Sequence, residues 1–300
     1  MRVLRGQEFA TTVEVEIRLP TRICTESMRV SEFSAPVSVV IPARNAEAFL
    51  GEALASVREQ RPPVLETIVV DDGSTDGSAR VAVACGARLV RLRRSGPSAA
   101  RNVGIRIARG RWVAFLDADD VWARGKIARQ VEAAALLPEA GMVACDRATV
   151  SRGRVVEPSY LASLGDAYRL LAEGSVCGRC RLFPPGANAL VGSGFVPLPS
   201  TVMVRRDVIL SVGLFDEALR GVEDYECFMR VLARFALVVV EMPLVRYRLH
   251  GRNTHFNDAL MEEAHRSFRR RVAAAPERYP AAVARTLLER PYSPGWVAGR

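Results

Sequence analysis

Short apolar runs alternate with amphipathic segments along most of the chain, beginning near residue 36. Residues 37–42 are almost wholly apolar and predict a buried strand, whereas residues 46–60 place apolar side chains on one side of a helix. The same pattern predicts further strands at 65–70, 88–92, 112–116 and 141–145, and further helices at 77–85, 97–108 and 123–137. Strands that alternate with helices in this way are typical of a parallel sheet covered by helices on both faces.

The alternation becomes less regular beyond residue 150. Residues 183–199 are rich in Gly and Pro and predict a long loop, of the kind that often covers a functional site. Order returns with predicted strands at 201–204, 236–241 and 244–249 and predicted helices at 207–212 and 222–234. We expect an N-terminal extension without fixed structure over residues 1–35, a folded α/β domain over 36–255, and a helical segment with a tail over 256–300.

Composition excludes several classes of protein. Hydrophobic residues make up 49% of the chain and charged residues 25%, which is typical of a globular protein rather than a disordered or fibrous one. No apolar run reaches the roughly 18 to 20 residues that span a bilayer, and no apolar signal-peptide core precedes the first proline. We therefore expect a cytoplasmic protein.

The chain carries a net charge of +9, and because Lys126 is its only lysine, arginine supplies almost all of the positive charge. A solvated basic surface, a contact with an anionic membrane and a phosphorylated substrate all fit this charge, and we predict no nucleic-acid partner. The six cysteines are too scattered for a disulfide framework. Cys177 and Cys180 form a single C-x-x-C, and since a structural zinc takes four ligands, we predict two ordinary loop thiols.

Two acidic clusters follow two of the predicted strands. Residues 71–74 read Asp-Asp-Gly-Ser, and residues 117–120 read Asp-Ala-Asp-Asp. Because ligands of open α/β sheets gather outside the carboxyl ends of the strands, we expect both clusters to face one crevice. Neighbouring carboxylates repel one another unless a cation lies between them, and oxygen ligands favour Mg²⁺ or Mn²⁺. Taken alone, an Asp-rich turn that caps the next helix remains the alternative.

Six segments together resemble the family 2 glycosyltransferases in residue type, order and spacing. The nucleotide-binding half of that family is similar to VSVVIPARNAEAFLGEALASV, IVVDDGSTDGS and GPSAARNVGIRIARGRWVAFLDADDVW. Its acceptor-side half is similar to STVMVRRDVILSVGLFDEAL, GVEDYECFMR and YRLHGRNTH. The resemblance covers residues 36–255, which would then be the catalytic domain. It implies a fold of the GT-A type, a doubly wound and mostly parallel sheet flanked by helices, with acceptor-side additions.

The resemblance implies an enzyme that takes a sugar from a nucleotide-sugar donor. In such enzymes the aspartate after the second strand, here Asp72 with Asp71 beside it, holds the base and ribose, and the backbone around Pro42, Ala43 and Arg44 lines the base. A carboxylate can accept hydrogen bonds from a base N–H and from a ribose hydroxyl. The family often carries Thr or Ser and a Tyr where this chain has Ala43 and Arg44, so the identity of the donor stays open.

The resemblance also implies a divalent metal, Mg²⁺ or Mn²⁺, beside the nucleotide. Asp119 corresponds to the direct metal ligand, and Asp117 to a ligand of the ribose or of the metal shell. His250 resembles a family position near the metal and the diphosphate, and Arg101 resembles the family arginine near the nucleotide. A metal in that position neutralises charge as the diphosphate departs.

Glu223 and Asp224 resemble the Glu-Asp pair of the family, in which the aspartate is the general base on the acceptor hydroxyl. Direct displacement at the anomeric carbon inverts its configuration and needs a base opposite the leaving diphosphate. Two neighbouring acids help to keep one pKa raised. The alternative is that both acids only stabilise the first turn of a helix.

The function that we predict is an inverting glycosyltransferase whose acceptor is a polysaccharide, a glycolipid or a small molecule. A sugar nucleotidyltransferase also uses carboxylate-bound Mg²⁺, but it ordinarily has a Gly-rich phosphate loop near the first strand, where residues 42–45 read Pro-Ala-Arg-Asn. A non-catalytic module that binds a nucleotide sugar is the third hypothesis. The presence of Asp119 and Asp224 weighs against it.

The C-terminal segment carries an apolar stripe, with arginines on the remaining surface. The stripe consists of Leu260, Ala264, Phe268 and Val272, and the arginines are Arg266, Arg269, Arg270 and Arg271. In one interpretation the stripe packs on the catalytic domain and the arginines are solvated. In the other, the basic face contacts an anionic membrane and brings the enzyme to a lipid-linked acceptor.

Overall fold

The computed structural model describes residues 35–165, 175–186, 197–251, 253, 256–281, 284 and 285. The predicted extension as far as residue 34, residues 187–196 of the predicted loop and the tail from residue 286 lie outside this description. Among the described helices, none is both long enough and apolar enough to cross a membrane.

The secondary-structure elements follow the predicted alternation through the first half of the chain. The strands are β1 (Ala35–Ala43), β2 (Val64–Asp71), β3 (Arg88–Arg91), β4 (Trp112–Phe115), β5 (Val121–Trp122), β6 (Ala140–Ser151), β7 (Arg154–Glu157), β8 (Ser175–Cys177), β9 (Cys180–Phe183), β10 (Met203–Arg205) and β11 (Ala236–Leu249). The helices are α1 (Glu47–Arg58), α2 (Ser78–Ala84), α3 (Pro97–Ile107), α4 (Lys126–Leu136), α5 (Tyr160–Ser163), α6 (Arg206–Ser211), α7 (Glu223–Leu232) and α8 (Asp258–Ala274). Short 3-10 helices occupy Pro199–Thr201 and Pro276–Arg278.

The described strands form one sheet of eleven strands. Its order is β3-β2-β1-β4-β10-β6-β11-β9-β8, with β5 paired to β11 and β7 paired to β6. β1 runs parallel to β2 and to β4, β2 runs parallel to β3, and β6 runs parallel to β11. β10 lies between β4 and β6 and is antiparallel to both. The predicted fold class, a mostly parallel sheet flanked by helices, is confirmed.

β1 illustrates why the sheet is covered on both faces. Val37, Val39 and Ile41 are fully buried in the core layer that contains α1, α2 and α4. Val40 is fully buried in the opposite layer, with α3, α6, α7 and α8. A Cβ on Gly104 of α3 would lie 2.3 Å from the Val40 side chain, so that position needs a glycine. Close packing on both faces holds the strand ends, and the residues that follow them, in place.

β11 and β6 differ from the predicted strands. The predicted strands at 236–241 and 244–249 form a single strand, whose pairing with β6 shifts register on either side of Pro243. Proline cannot donate a ladder hydrogen bond, and an irregularity in the pairing accommodates it within the strand. β6 continues to Ser151 rather than ending at residue 145, because its polar second half pairs with β11 and β7.

The hairpin of β8 and β9 lies where the sequence predicted no element. Cys177 and Cys180 are paired residues on either side of its turn. Within the described part of the chain, no group of three or more His, Cys, Asp or Glu side chains is arranged to hold a metal ion. The C-x-x-C therefore closes a turn between two short strands.

Helix α8 packs its apolar stripe on the core. Ala264, Phe268 and Val272 are buried, and Leu260 is half-buried. The Phe268 ring meets the Tyr225 ring of α7 edge-on, with 5.8 Å between the centroids. This packing agrees with the first of the two interpretations of the C-terminal segment.

Several arginines of α8 are paired with carboxylates. Arg266 and Arg270 both contact Glu263 on the same helix. Arg271 pairs with Asp216 in the loop before α7. Part of the positive charge on this face is therefore compensated within the protein.

Phe268→Ala is expected to lower the free energy of unfolding by about 3 to 5 kcal/mol, because truncating this fully buried ring leaves a cavity between α7 and α8. Denaturant titration would measure the change. Val83→Ala is the control, since Val83 on α2 is 62% exposed, and we expect it to stay within about 0.5 kcal/mol of the wild type. A Phe268→Ala protein as stable as the control would contradict the packing of α8.

Candidate active site

A cleft of about 410 Å³ lies at the carboxyl ends of β1, β2 and β4. Nine of the eleven predicted site residues line it: Pro42, Ala43, Arg44, Asp72, Arg101, Asp117, Asp119, Glu223 and His250. The structure therefore brings the two acidic clusters to one crevice, as expected for residues that follow parallel strands. Asp71 and Asp224 do not contribute to the cleft wall.

Asp72 is a buried carboxylate that faces the cleft. Its Oδ1 accepts a hydrogen bond from the backbone N–H of Ser95 at 2.6 Å, and its Oδ2 accepts one from Gly96 at 2.9 Å. These two bonds tie the end of β2 to the loop before α3. They hold the carboxylate in one orientation at the edge of the cleft.

Asp71 has a different environment from its neighbour. Its side chain is fully buried, its Oδ1 accepts from the backbone N–H of Ser74 at 2.9 Å, and its Oδ2 accepts from Arg91 Nε at 3.2 Å. The structure therefore does not bring Asp71 to the cleft, because its carboxylate closes the turn after β2. For Asp71 the geometry favours the alternative given above, an aspartate that stabilises the turn after the strand.

Arg101 is a buried cation that joins three parts of the cleft. Its guanidinium donates to Asp117 at 2.8 Å and to Glu223 at 3.1 Å. Burial lowers the pKa of Arg101, but the two carboxylates outweigh burial and the pKa lies above its usual value. Since α3 carries Arg101, the β4–β5 loop carries Asp117 and α7 carries Glu223, the ion pairs couple the strand-end cluster to the acid pair.

Asp119 and His250 are direct neighbours. Asp119 Oδ2 lies 2.9 Å from His250 Nε2, and the His250 ring stacks on Phe49 with 5.2 Å between the centroids. Burial raises the pKa of Asp119, and the charge of Asp117 raises it further, while His250 has the opposite effect. A carboxylate whose negative charge is disfavoured in this way would be stabilised by a cation.

Asp120 lies in the same β4–β5 loop as Asp119 and bonds that loop to the protein on the side away from the cleft. Its Oδ2 accepts from the Ser200 hydroxyl at 2.6 Å, and its Oδ1 accepts from the backbone N–H of Arg248 at 3.0 Å. Burial is the main reason why the pKa of Asp120 lies well above its usual value, and the charges of Asp119 and Asp117 raise it further. Asp120 therefore fixes the β4–β5 loop against β11 and does not line the cleft.

The side chains at the cleft fit a divalent metal ion that takes its remaining ligands from substrate phosphates and water. Mg²⁺ is usually held by one or two carboxylates together with substrate phosphates and water. Asp119 supplies such a carboxylate, and His250 supplies a ring nitrogen beside it. Asp117 is already bonded to Arg101. No third ligating side chain joins Asp119 and His250 in the described part of the chain.

Glu223 and Asp224 begin α7, and they differ in their partners. Glu223 accepts from Arg101 and from the backbone N–H of Gly221 at 2.7 Å. Asp224 Oδ1 accepts from the backbone N–H of Tyr225 at 2.7 Å, and no described cation is hydrogen-bonded to Asp224. Burial, followed by the charge of Glu223, raises the pKa of Asp224 to about 7 against the opposing effect of Arg101. Asp224 is thus a carboxylate whose pKa lies well above that of an ordinary aspartate.

Four polar or aromatic side chains of the cleft were missed by the sequence analysis: Asn45, Phe49, Arg94 and Arg220. Asn45 adopts a φ of 48° and accepts a hydrogen bond from Thr75 N–H at 2.9 Å. An asparagine directly after a strand is a usable signal, because Asn tolerates the left-handed region. Arg94 and Arg220 are exposed loop residues that form no hydrogen bond or ion pair with any described residue. Loops carry no periodic pattern that would have identified them.

Curated relatives are similar to parts of the chain. The putative teichuronic acid biosynthesis glycosyltransferase TuaG of Bacillus subtilis is 39% identical over 102 residues, which are 32% of this chain and 40% of that protein. The succinoglycan biosynthesis protein ExoO of Rhizobium meliloti is 31% identical over 229 residues, which are 72% of this chain and 61% of that protein. An uncharacterized glycosyltransferase of Rickettsia felis is 39% identical over 100 residues, 17% of its length. The chain spans less than two thirds of each of these relatives.

Solved structures share the fold. S. aureus TarS 1-349 in complex with UDP-GlcNAc has a TM-score of 0.62 at 20% identity, and the match covers 84% of this chain and 70% of that one. The mannosyltransferase PcManGT from Pyrobaculum calidifontis, in complex with GDP-Man and Mn²⁺, has a TM-score of 0.59 at 21% identity, covering 89% and 73%. At this level of identity the likeness shows the fold alone, which is of the GT-A type.

Two family models together match residues 38–299. The model described as "Glycosyl transferase family 2" matches residues 38–184. The model described as "Glycosyltransferase like family 2" matches residues 182–299. The two matches meet at β9, and together they include every predicted site residue. The chain belongs to family 2 of the glycosyltransferases.

Proposed function

We propose that this chain catalyses the inverting transfer of a sugar from a nucleoside diphosphate sugar to an acceptor hydroxyl. The observation that carries the proposal is the ion pairing of Arg101 with Asp117 and Glu223, because it joins a strand-end carboxylate of the cleft to the first acid of the Glu223–Asp224 pair. The cleft of about 410 Å³ lies within the range of about 300 to 1,000 Å³ that small-molecule sites occupy.

On the donor side, Asp72 supplies a carboxylate whose orientation is fixed by two backbone bonds. A carboxylate has about four acceptor positions, so about two remain for a base N–H and a ribose hydroxyl. The exposed guanidinium groups of Arg44 and Arg94 line the same cleft and suit a negative diphosphate. Relatives of the same fold have been solved with UDP-GlcNAc and with GDP-Man, which supports a nucleotide sugar without selecting the base.

Asp224 is the residue that we propose as the general base. The acceptor oxygen forms its bond to the anomeric carbon while the bond to the diphosphate breaks, the electron pair leaves with the diphosphate, and the acceptor proton goes to Asp224. Glu223 is the weaker candidate because a cation and a backbone N–H already occupy its oxygens. In this proposal Glu223 positions Arg101 and helps to keep the pKa of Asp224 raised.

Asp119 and His250 are the side chains that would hold Mg²⁺ or Mn²⁺ in the proposed site. Such an ion, when bound, neutralises negative charge on the departing diphosphate. The stacking of Phe49 on His250 keeps the imidazole plane fixed beside Asp119. A solved relative of the same fold contains Mn²⁺, which supports a divalent metal.

We favour a growing polysaccharide or a glycolipid as the acceptor, because two relatives are named for teichuronic acid and succinoglycan biosynthesis. A peripheral membrane contact through α8 has less support than the sequence suggested. Arg266 and Arg270 share Glu263, and Arg271 pairs with Asp216.

The proposed function is tested by incubating the purified chain with UDP-, GDP- and dTDP-sugars and measuring metal-dependent release of the nucleoside diphosphate. We expect release with one class of donor, and we expect Asp72→Ala to weaken binding of that donor by about tenfold or more through loss of charge-assisted hydrogen bonds. Tight binding of a nucleotide sugar with no release under any condition would indicate a binding module. Consumption of a nucleoside triphosphate with release of pyrophosphate would indicate a nucleotidyltransferase.

A further inference from the structure

A second cavity, of about 600 Å³, shares His250 with the cleft but has its own walls. We call it the basic cavity. Its charged lining consists of Arg152 in the β6–β7 turn, Arg246 and Arg248 on β11, and one carboxylate, Glu52 on α1. Three guanidinium groups therefore face a single carboxylate. The cavity wall therefore has an excess of positive charge that an anionic ligand would compensate.

Two of the three guanidinium groups have no partner within the described part of the chain. Arg152 and Arg246 are exposed, and neither side chain forms a hydrogen bond or an ion pair with a described residue. Many surface arginines are simply solvated, but these two converge with a third on one concave space. A planar guanidinium offers a fork of donors that matches the oxygens of a carboxylate or phosphate.

Arg248 connects the basic cavity to the loop that carries Asp119. Its Nη2 donates to Glu52 at 2.6 Å, and its Nε donates to the backbone carbonyl of Asp119 at 2.9 Å. Its guanidinium also lies over the Phe49 ring, 5.1 Å from the centroid. Since His250 lines both spaces, a ligand held in the basic cavity would lie next to the cleft.

The remaining wall is largely apolar. It includes Val121, Val150, Leu249 and Phe256, and Phe256 is 52% exposed although it is a large aromatic residue. Apolar surface with a few convergent charged groups is typical of a small-molecule site. A pyranose ring presents C–H groups that pack on an aromatic ring, while a charged substituent on the sugar would reach the arginines. The lining thus fits a sugar that carries an anionic group better than it fits a bare inorganic anion.

We propose that the basic cavity binds an anionic sugar of the acceptor, with Arg152 and Arg246 contacting a uronate carboxylate or a phosphate group. This inference rests on the proposed function, because it assigns the basic cavity to the acceptor of the proposed sugar transfer. It adds to that function a class of acceptor, a negatively charged glycan. It also assigns selectivity for the acceptor to residues that do not line the cleft.

Calorimetric titration with three trisaccharides tests the proposal: maltotriose, trigalacturonate and a phosphate monoester of maltotriose. We expect at least one of the two anionic probes to bind about tenfold or more tightly than maltotriose, because each charge-assisted contact contributes to the difference. The tighter of the two identifies the anionic group. Binding should weaken when the salt concentration is raised from about 0.05 M to 0.5 M.

The double variant Arg152→Gln, Arg246→Gln should lose about tenfold or more in affinity for the anionic probe. Arg154→Gln is the matched control, because Arg154 is exposed on β7 in the same hairpin and lines neither the cleft nor the basic cavity. Equal affinity for neutral and anionic trisaccharides, or wild-type affinity in the double variant, would overturn the proposal. So would binding to vesicles of phosphatidylglycerol that the double variant abolishes, without binding of any trisaccharide, since the cavity would then contact a membrane.

Donor binding separates a failure of this inference from a failure of the proposed function. Neither Arg152 nor Arg246 lines the cleft, so the double variant should bind the nucleotide sugar as tightly as the wild type does, when no acceptor is present. If the wild type binds trigalacturonate but no nucleotide sugar, the proposed function is contradicted, whereas the binding of an anionic sugar in the basic cavity is not. A wild type that processes a donor but binds no anionic trisaccharide would contradict the anion site alone.

Discussion

Asp224→Asn is expected to reduce kcat by about 10² to 10⁴-fold while donor binding stays at the wild-type level. The amide has nearly the same shape as the carboxylate but cannot accept the proton of the acceptor hydroxyl. Asp224 does not line the cleft where we place the donor, and no described cation depends on it for hydrogen bonding, so the change should leave donor affinity and folding largely intact. Steady-state kinetics together with a nucleoside diphosphate binding assay measure both quantities.

Two comparisons make the test of Asp224 specific. Asp258→Asn removes an exposed carboxylate from the first turn of α8, far from the acid pair in sequence, and should leave kcat unchanged. Glu223→Gln weakens the ion pair with Arg101, so it should also disturb donor binding. If Glu223→Gln abolished turnover while Asp224→Asn retained it, the general base would be Glu223.

The pH dependence of the wild type gives an independent readout of the same base. Burial and the charge of Glu223 raise the pKa of Asp224 to about 7, and only the deprotonated carboxylate can accept a proton. We therefore expect kcat/KM to be low at acid pH, to rise as the pH passes through about 7, and to level off above that value. The residual activity of Asp224→Asn should lack this rise. A wild-type profile that is flat between about pH 5 and 8 would contradict the assignment.

The sequence predicted the cleft because strand ends are easy to locate. Continuous apolar runs identify β1, β2 and β4, and the polar residues directly after them must lie at one edge of a parallel sheet. Which of two adjacent residues faces the cleft could not be predicted in this way. Asp71 turns into the loop and Asp72 turns to the cleft because of hydrogen bonds from Ser74 and from Gly96, which are contacts of the folded turn.

The sequence was less informative about the second half of the chain. β5 has two residues and β8 has three, which is too short for a period of two to be recognised. The basic cavity combines Arg152 and Arg246, which come together through the pairing of β6 with β11, with Glu52 of α1, which is bonded to Arg248. No local pattern contains that information. Part of the predicted loop, residues 187–196, lies outside the described residues.

Removal of divalent metal is expected to reduce sugar transfer by about 10³-fold or more, because a metal contributes several kcal/mol to stabilising charge on the departing diphosphate. Excess chelator should abolish turnover, and Mg²⁺ or Mn²⁺ should restore it. Asp119→Asn should raise the metal concentration needed for half-maximal activity by about tenfold or more, since the amide supplies no charge to hold the ion. Activity measured across a metal titration gives both the loss of transfer without metal and the metal concentration for half-maximal activity.

Asp120→Asn is the comparison that separates a metal ligand from a neighbouring acid. Asp120 is buried, it is bonded to the Ser200 hydroxyl and to the backbone N–H of Arg248, and it does not line the cleft. The amide can replace only one of these acceptor oxygens, so we expect this variant to lose stability by about 1 to 3 kcal/mol but to keep the metal requirement of the wild type. Full turnover in excess chelator, or the same shift in metal requirement for both variants, would contradict a metal role for Asp119.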